Sequence, residues 1–178
     1  MLNITYFVHG TTIDNEQGLA SGWADSELSE LGIKQAKELG NLVQDKSFDI
    51  VFCSDLKRAI DSANLVFGNK YKIVIDPRLR EINYGDYTQK SENFKNNLTN
   101  FIDSPFPNGE SYQDVEKRIK NLLEEISRKY PNQRVAVMAH QAPQLALEVI
   151  INHKTWPEAI AEDWRNTKSW QPGWNYSC

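Results

Sequence analysis

Short apolar runs alternate along this chain with stretches whose apolar residues recur at helical spacing. The runs at residues 4–8, 48–53, 73–75 and 135–139 are rich in β-branched and aromatic residues, which is typical of parallel strands buried on both faces. Because a helical pattern follows each of the first two runs and another precedes the last, the sequence predicts a three-layer α/β fold. Its centre is expected to be a mostly parallel open sheet with helices on both faces.

Hydroxyl residues mark the predicted helix starts. Ser29 precedes a pattern that includes Ala36, Leu39, Gly40 and Val43, and Ser54 precedes one that includes Ala59, Ile60, Ala63 and Phe67. Ser111 and Asp114 form a capping-box-like start for a long helix that ends before Pro131. We therefore predict N-caps at Ser29, Ser54 and Ser111.

Two segments depart from this alternation. Residues 83–109 are polar and contain turn-forming glycine and proline, which predicts an excursion that covers the site. From about residue 152 the chain is rich in tryptophan, with a short helix predicted after the cap Thr155. We interpret Trp156, Trp164, Trp170 and Trp174 as packing residues, with an aromatic or sugar site as the alternative. Residues 1–178 are expected to form a single domain.

Composition and charge narrow the possible functions. The net charge of -4 comes from interspersed acidic and basic residues, which argues against a nucleic-acid partner and leaves room for a small anion in a local basic pocket. No apolar stretch reaches the roughly 20 residues that span a bilayer, and no leader is evident, so a cytoplasmic location is expected. Cys53 is interpreted as a core residue, and no zinc-ligand spacing or disulfide framework is present.

Four short segments carry the candidate chemistry. Each lies near the end of an apolar run, where an open α/β sheet presents side chains to one crevice. The segments read YFVHGTT at 6–12, SDLKRA at 54–59, LREINYGD at 79–86 and VMAHQAP at 137–143. Together they predict a site that handles phosphate.

The residue types suggest separate roles within that site. A neutral imidazole at His9 can attack phosphorus, and Gly10 allows the backbone to approach a ligand closely. His140 ends the last apolar run where a helix begins, which favours an anion. Arg58 can hold two phosphate oxygens, and Glu81 can protonate the departing oxygen and then deprotonate water.

The order and spacing of the four segments resemble those of the histidine phosphatase superfamily, also called phosphoglycerate mutase-like. The resemblance covers about residues 4–151 and implies that His9 is the phosphorylated nucleophile, Arg58 a phosphate-binding arginine, Glu81 the proton donor and His140 a second histidine that neutralises phosphate charge. It implies no metal or cofactor. By the same resemblance, the substrate-binding positions are Gly10, Thr12, Asn15, Ser21 and Gln141.

Some residues differ from the family pattern. Val8 stands where the resemblance implies an arginine directly before the nucleophile, Gln89 stands where glycine is frequent, and Gln141 replaces a glycine after the second histidine. The missing cation puts the activity in question, because removing one charge-stabilising donor typically costs about 2.7–4 kcal/mol of transition-state stabilisation. The cations considered as replacements are Lys57, Arg78, Arg80, Lys154 and Arg165.

Three functions remain open at this point. The first is a metal-independent phosphomonoesterase that acts on a small phosphorylated metabolite through a phosphohistidine. The second is a weak or inactive relative that binds a phosphorylated ligand, as Val8 suggests. The third is a phosphoglycerate mutase, which the stretch SGWADSELSELG at 21–32 resembles, whereas HQA at 140–142 resembles the fructose bisphosphatase branch.

Overall fold

A mostly parallel sheet forms the centre of the protein. The computed structural model describes residues 1–68 and 70–178. Its strands are β1 Asn3–Val8, β2 Leu19–Ala20, β3 Ile50–Cys53, β4 Ile73–Ile75, β5 Lys90–Ser91, β6 Arg134–Ala139 and β7 Trp174–Ser177. The main sheet has the order β4-β3-β6-β1-β7, in which the first four strands are parallel and β7 is antiparallel to β1. The four predicted strands are confirmed, whereas β7 was not predicted.

Helices cover both faces of this sheet. They are α1 Ile13–Glu16, α2 Glu30–Leu42, α3 Lys57–Phe67, α4 Tyr112–Lys129, α5 Gln141–Ile150, α6 Trp156–Ala161 and α7 Trp164–Thr167. Residues of α2 and α3 pack with Phe7 and Val51 in one apolar cluster, and residues of α4 and α5 pack with Ile4 and Val137 in another. The predicted three-layer α/β fold is confirmed.

The predicted helix caps are confirmed at three positions and wrong at one. Ser29 caps α2, while Ser111 and Thr155 form capping boxes at the starts of α4 and α6. Ser54 does not cap α3, whose N-cap is Leu56 with no side-chain hydrogen bond. The hydroxyl of Ser54 instead accepts a hydrogen bond from the backbone N–H of Leu56. It therefore stabilises the turn before the helix, a frequent role for serine.

The register between β1 and β6 determines where the site forms. Val8 pairs with Ala139 at the carboxyl ends of the two parallel strands, and the backbone N–H of His9 continues the ladder to the carbonyl of Ala139 at 3.2 Å. His9 and His140 are thus the next residues of neighbouring strands. Adjacent strands lie about 4.8 Å apart, so this register alone brings the two histidines together.

The excursion at 83–109 folds back onto the domain. β5 pairs with β2, turns of 3-10 helix span Glu92–Phe101, and the buried ring of Phe106 stacks on Phe101. Gln89 has a φ of 57°, a left-handed conformation that favours glycine. This conformation gives a backbone reason for the glycine that the family resemblance implied there.

Cys53 lies fully buried in β3, as predicted, and burial raises the pKa of its thiol to about 12. It is therefore an inert core residue. In the described part of the chain, every helix is too short or too polar to cross a bilayer.

A close contact between Gly10 and Gly32 fixes the loop that follows β1. A Cβ added to Gly32 would lie 1.9 Å from the carbonyl oxygen of Thr11. We expect Gly32→Ala to lower the free energy of unfolding by about 1–3 kcal/mol, because the crowding atoms are backbone and cannot rotate away. Chemical denaturation would measure this change.

Gly32 and Gly40 both lie in α2, so Gly40→Ala is the matched control for this prediction. A Cβ there meets its nearest atom at 3.3 Å, so we expect a much smaller change. Equal stability of the two variants would contradict the close-contact explanation.

Candidate active site

A cavity of about 730 Å³ opens at the carboxyl ends of the parallel strands. Its walls come from the end of β1, helices α2 and α3, the excursion and the C-terminal segment. Among the residues predicted for the site, five line this cavity: His9, Gly10, Asn15, Glu81 and Gln141. The other four, Arg58, His140, Thr12 and Ser21, are buried and are not among the residues that line it.

His9 has the geometry of a nitrogen nucleophile. Its Nδ1 lies 2.7 Å from the carbonyl oxygen of Gly10, so Nδ1 carries the proton and Nε2 keeps its lone pair. Burial, followed by the positive charge of Arg58, lowers the pKa of His9 from 6.5 to about 3. The ring is therefore neutral at neutral pH, which is the state that nucleophilic attack requires.

His140 lies directly beside His9, with the two ring centroids 5.0 Å apart. It is fully buried, and its Nδ1 and Nε2 have no hydrogen-bond partner among the described residues. Its backbone is well fixed, because the hydroxyl of Tyr6 donates to the His140 carbonyl at 2.6 Å and accepts from its N–H at 3.0 Å. Burial lowers the pKa of His140 well below its usual value. Buried polar atoms without partners are costly, and they often mark the place of a ligand.

Arg58 holds the loop that follows β2. Its guanidinium donates to the carbonyl of Gly22 at 2.7 Å and to that of Ala24 at 3.0 Å. Its side chain is 2% exposed, and its charge contributes to the lowered pKa of both histidines. Arg58 thus places positive charge close to the imidazole pair while also bracing a loop.

The carboxylate of Glu81 connects the region after β4 to the start of α5. Oε1 accepts hydrogen bonds from the N–H groups of Ile82 and Ala142, both at 2.9 Å, and Oε2 accepts one from Gln141 at 3.2 Å. His140, the N-cap of α5, makes no side-chain cap of its own. Glu81 therefore satisfies two free N–H groups of that helix end while lining the cavity.

The predicted substrate-binding residues have different positions. Thr12 and Asn15 form the capping box of α1, and Asn15 also lines the cavity. Ser21 is buried and donates to Asp14 at 2.9 Å. Gly10 lines the cavity, but its lack of a side chain is needed for the contact with Gly32, whose carbonyl oxygen would lie 2.4 Å from an added Cβ.

The packing interpretation of the tryptophans holds for three of the four and is wrong for Trp170, which is 50% exposed. Trp174 packs against the core, and Trp164 stacks on Trp174. Trp156 is buried and donates to Glu116 at 2.7 Å. Trp164, Trp170 and Trp174 line the cavity. They reach the cavity because β7 pairs with β1, which brings the C-terminal segment beside the strand that ends just before His9.

Sequence reasoning also missed Lys95 and Asp163, both of which line the cavity. Lys95 comes from the excursion, and its ammonium bonds to Glu92. Asp163 caps α7 and accepts a hydrogen bond from the side chain of Gln141. An aspartate two residues before an arginine could have suggested a capped turn, but nothing local indicates that this turn faces His9.

Comparison with known proteins agrees with this geometry. A family model described as histidine phosphatase superfamily (branch 1) matches residues 6–173. The chain belongs to the histidine phosphatase superfamily.

Its relatives in this superfamily include phosphatases that are named for different substrates. The chain is 32% identical over 143 residues to the adenosylcobalamin/alpha-ribazole phosphatase of Escherichia coli strain K12, an alignment that covers 75% of this chain and 70% of that protein. It is 27% identical over 157 residues to phosphoserine phosphatase 1 of Hydrogenobacter thermophilus, with 83% and 74% covered. The crystal structure of the alpha-ribazole phosphatase from Shigella flexneri superposes with a TM-score of 0.79 at 28% identity, covering 88% of this chain and 83% of that one.

Val8 lines the cavity of this histidine phosphatase next to His9. Of the five cations considered as replacements for an arginine at that place, four are bound to carboxylates outside the cavity lining. The pairs are Lys57 with Asp61, Arg78 with Asp76, Arg80 with Asp55 and Lys154 with Glu148. The fifth, Arg165, lines the cavity.

The lowered pKa of His9 predicts a specific response to acid. Between about pH 6.5 and pH 3 the unfolded chain protonates this residue and the folded protein does not. The unfolded state then binds more protons, so the free energy of unfolding falls as the pH is lowered through this window. We expect His9→Gln to make that fall shallower in denaturation curves measured at several pH values.

Nitrogen-15 NMR of the histidine rings provides a direct check, with the His9→Gln variant assigning the signal. We expect the chemical shifts of a neutral ring for His9 at pH 5. A ring that is mostly charged at pH 5 would contradict the environment described above.

Proposed function

We propose that the protein is a metal-independent phosphomonoesterase that acts on a small phosphorylated metabolite through a phosphohistidine. The observation that carries this proposal is the pair of imidazoles at the carboxyl ends of β1 and β6. One ring is neutral, with Nδ1 hydrogen-bonded and Nε2 unprotonated, and the other is buried with two unpartnered nitrogens. The two relatives described above are named as phosphatases, which supports the same reaction class.

In the first half-reaction, Nε2 of His9 attacks phosphorus. A P–N bond forms, the P–O bond to the alcohol breaks, and Glu81 donates a proton to the departing oxygen. In the second half-reaction, water attacks the phosphohistidine and gives its proton to Glu81. The P–N bond then breaks, which releases phosphate and restores the lone pair on His9.

Arg58, His140 and Asn15 are proposed to hold the phosphoryl group. The guanidinium of Arg58 uses one N–H on Gly22 and one on Ala24, and a guanidinium has five such donors, so further donors remain for phosphate oxygens. The ring of His140 would gain its missing hydrogen-bond partner. Donors that are fixed before the substrate arrives stabilise developing charge without reorganising, which is a large contribution to catalysis.

Glu81 is well placed for proton transfer. Its main-chain carbonyl accepts hydrogen bonds from the indole of Trp23 at 2.7 Å and from Arg118 at 3.1 Å. Its Oε2 carries one hydrogen bond, from Gln141, and the residue lines the cavity. A fixed backbone together with a lightly engaged oxygen suits a group that gives and takes a proton.

The first test replaces the nucleophile. We expect His9→Asn to abolish release of inorganic phosphate from p-nitrophenyl phosphate in buffer that contains a chelator, because Nε2 of His9 is the proposed acceptor of the phosphoryl group. Loss of activity should accompany loss of acid-labile phosphate from the quenched enzyme. Undiminished turnover in His9→Asn would refute the assignment.

The same assay separates hydrolysis from the mutase alternative. Release of phosphate with no isomerisation of added 3-phosphoglycerate supports the phosphatase. Phosphate transfer to the glycerate in preference to water would support the mutase.

A second test concerns the proton donor. We expect Glu81→Gln to lower kcat/KM by about 10²-fold or more for an alkyl phosphate, because an alkoxide needs a proton to depart. The loss should be much smaller for p-nitrophenyl phosphate, whose leaving group is stable without one.

The comparison of leaving groups also isolates the structural contribution of Glu81. The amide oxygen of glutamine can still accept from Ala142 and cap α5. If both substrates lose the same factor, Glu81 acts by holding the helix and not by transferring a proton.

A further inference from the structure

The charged residues of the cavity are mostly acidic, although a phosphate monoester carries up to two negative charges. Of the described residues that line it, Glu38, Glu81, Glu92 and Asp163 are carboxylates, while Lys95 and Arg165 are cations. Next to His9, the cavity is lined by Val8, an apolar residue. Besides Arg58, which also binds the carbonyls of Gly22 and Ala24, any further cation for a phosphoryl group at His9 therefore comes from elsewhere in the wall.

Lys95 is the weaker candidate for this purpose. Its ammonium is bonded to Glu92, three residues earlier in the same 3-10 turns, and this pair is partly exposed. The long side chain of Lys95 adopts many rotamers, and its ammonium is a compact charge that lacks the fixed, forked geometry of a guanidinium. A local pair of this kind offers little net charge and no fixed geometry to a phosphate.

Arg165 is held from several sides. Its backbone N–H and its Nη1 both donate to Oδ1 of Asp163, at 3.0 and 2.9 Å. Its guanidinium carbon lies 4.3 Å from the centre of the Trp164 ring, and Trp164 in turn stacks on Trp174 of β7. A guanidinium fixed by a carboxylate and an aromatic face loses little freedom when it binds an anion.

The partner of Arg165 is fixed as well. The side chain of Asp163 is 2% exposed, and its second carboxylate oxygen, Oδ2, accepts from Nε2 of Gln141. Gln141 is the first residue of α5 and directly follows His140. Hydrogen bonds thus link Gln141, the residue after His140, through Asp163 to Arg165.

The remaining donors of Arg165 are available. Within the part of the chain that the structure describes, its Nε and Nη2 make no hydrogen bond to protein atoms, and its side chain is 30% exposed. Its charge also contributes to the lowered pKa of His9, after burial and Arg58. The charge of Lys95 contributes to the same pKa, so what distinguishes Arg165 is that its guanidinium is held in place, lines the same cavity as His9 and has donors to spare.

We propose that Arg165, positioned by Asp163 and Gln141, binds the phosphoryl group beside His9 and supplies the cation that Val8 does not. This proposal rests on the phosphatase function proposed above. It assigns Arg165 a direct contact with the substrate, and it makes Asp163 and Gln141 positioning residues. The C-terminal segment would then complete the active site.

The first experiment removes the charge. We expect Arg165→Met, which keeps an apolar chain against Trp164, to lower kcat/KM for p-nitrophenyl phosphate by about 10²-fold and to raise the inhibition constant of inorganic phosphate. Arg165→Lys should recover part of the loss. Thermal unfolding of each variant shows whether the fold is intact.

Two other cations serve as comparisons. Arg128→Met changes an exposed arginine at the end of α4, away from the cavity, and should leave both constants unchanged. Lys95→Met removes the other cation of the cavity wall and should have a much smaller effect than Arg165→Met. The proposal is overturned if Arg165→Met stays within twofold of the parent, or if Lys95→Met shows the larger loss.

The decisive experiment restores a cation at the other position. We expect the double variant Val8→Arg/Arg165→Met to have a kcat/KM at least tenfold higher than that of Arg165→Met alone, because an arginine at position 8 replaces the charge removed at position 165. In the parent, Val8→Arg should give no gain, since the place of that charge is already filled. Equal gains in both backgrounds would show that Arg165 and position 8 act independently, which contradicts the proposal.

A double-mutant cycle tests the positioning residues. Asp163→Asn should weaken phosphate inhibition in the parent and have almost no further effect once Arg165 is methionine. A purely structural role for Asp163 predicts the same loss in both backgrounds, so equal losses would remove Asp163 from the proposal.

Failure of this proposal can be distinguished from failure of the proposed function. If His9→Asn is inactive and Arg165→Met is unaffected, the phosphohistidine mechanism stands and the role of Arg165 is wrong. If His9→Asn keeps full turnover, the mechanism is wrong, and calorimetric titration of inorganic phosphate into Arg165→Met still shows whether Arg165 binds the anion.

Discussion

The parallel pairing of β1 with β6 is the constraint on which the rest of the site depends. Its register places Val8 opposite Ala139, so His9 and His140 are the first residues after the two strands. Their ring centroids lie 5.0 Å apart. In a strand, successive side chains point to opposite faces, so a shift of one residue would separate the rings. The buried ladder between Ile4 and Val8 therefore supports the chemistry as well as the core.

Around this pair, Glu81 and Arg58 also hold structural elements in place. Glu81 satisfies the N–H groups at the start of α5, and Arg58 braces the carbonyls of Gly22 and Ala24. Trp23, in that same loop, hydrogen-bonds to the backbone of Glu81. These cross-links fix the side chains before any ligand arrives, which is the arrangement that charge stabilisation requires.

The C-terminal segment adds a wall to the cavity. The antiparallel strand β7 pairs with β1, and three tryptophans next to it line the cavity. Asp163 connects this segment to α5 through Gln141. Gln141, which stands where the family resemblance implies a glycine, thus provides the contact that ties the segment to the start of α5, next to His140.

Much of this could be predicted from the sequence, because the relevant signals are local. Apolar runs, helix periodicity and the caps Ser29 and Ser111 depend on neighbouring residues, and they correctly predicted the parallel strands and the layers. The order of motifs around His9, Arg58, Glu81 and His140 identified the family. The exception at Ser54 arose because a hydroxyl can stabilise a turn or cap a helix, and the choice depends on where the backbone leaves the strand.

The tertiary structure alone decided how the distant parts meet. The strand β7 and the cavity positions of Trp164, Arg165, Trp170 and Trp174 all depend on pairing between residues more than 150 positions apart in sequence. No local pattern encodes such a pairing, because it forms through the backbone edge of β1 and through packing that exists after the sheet is assembled. The candidate residues for binding a phosphate could therefore be recognised in the sequence, whereas the cations that line the cavity were decided by the fold.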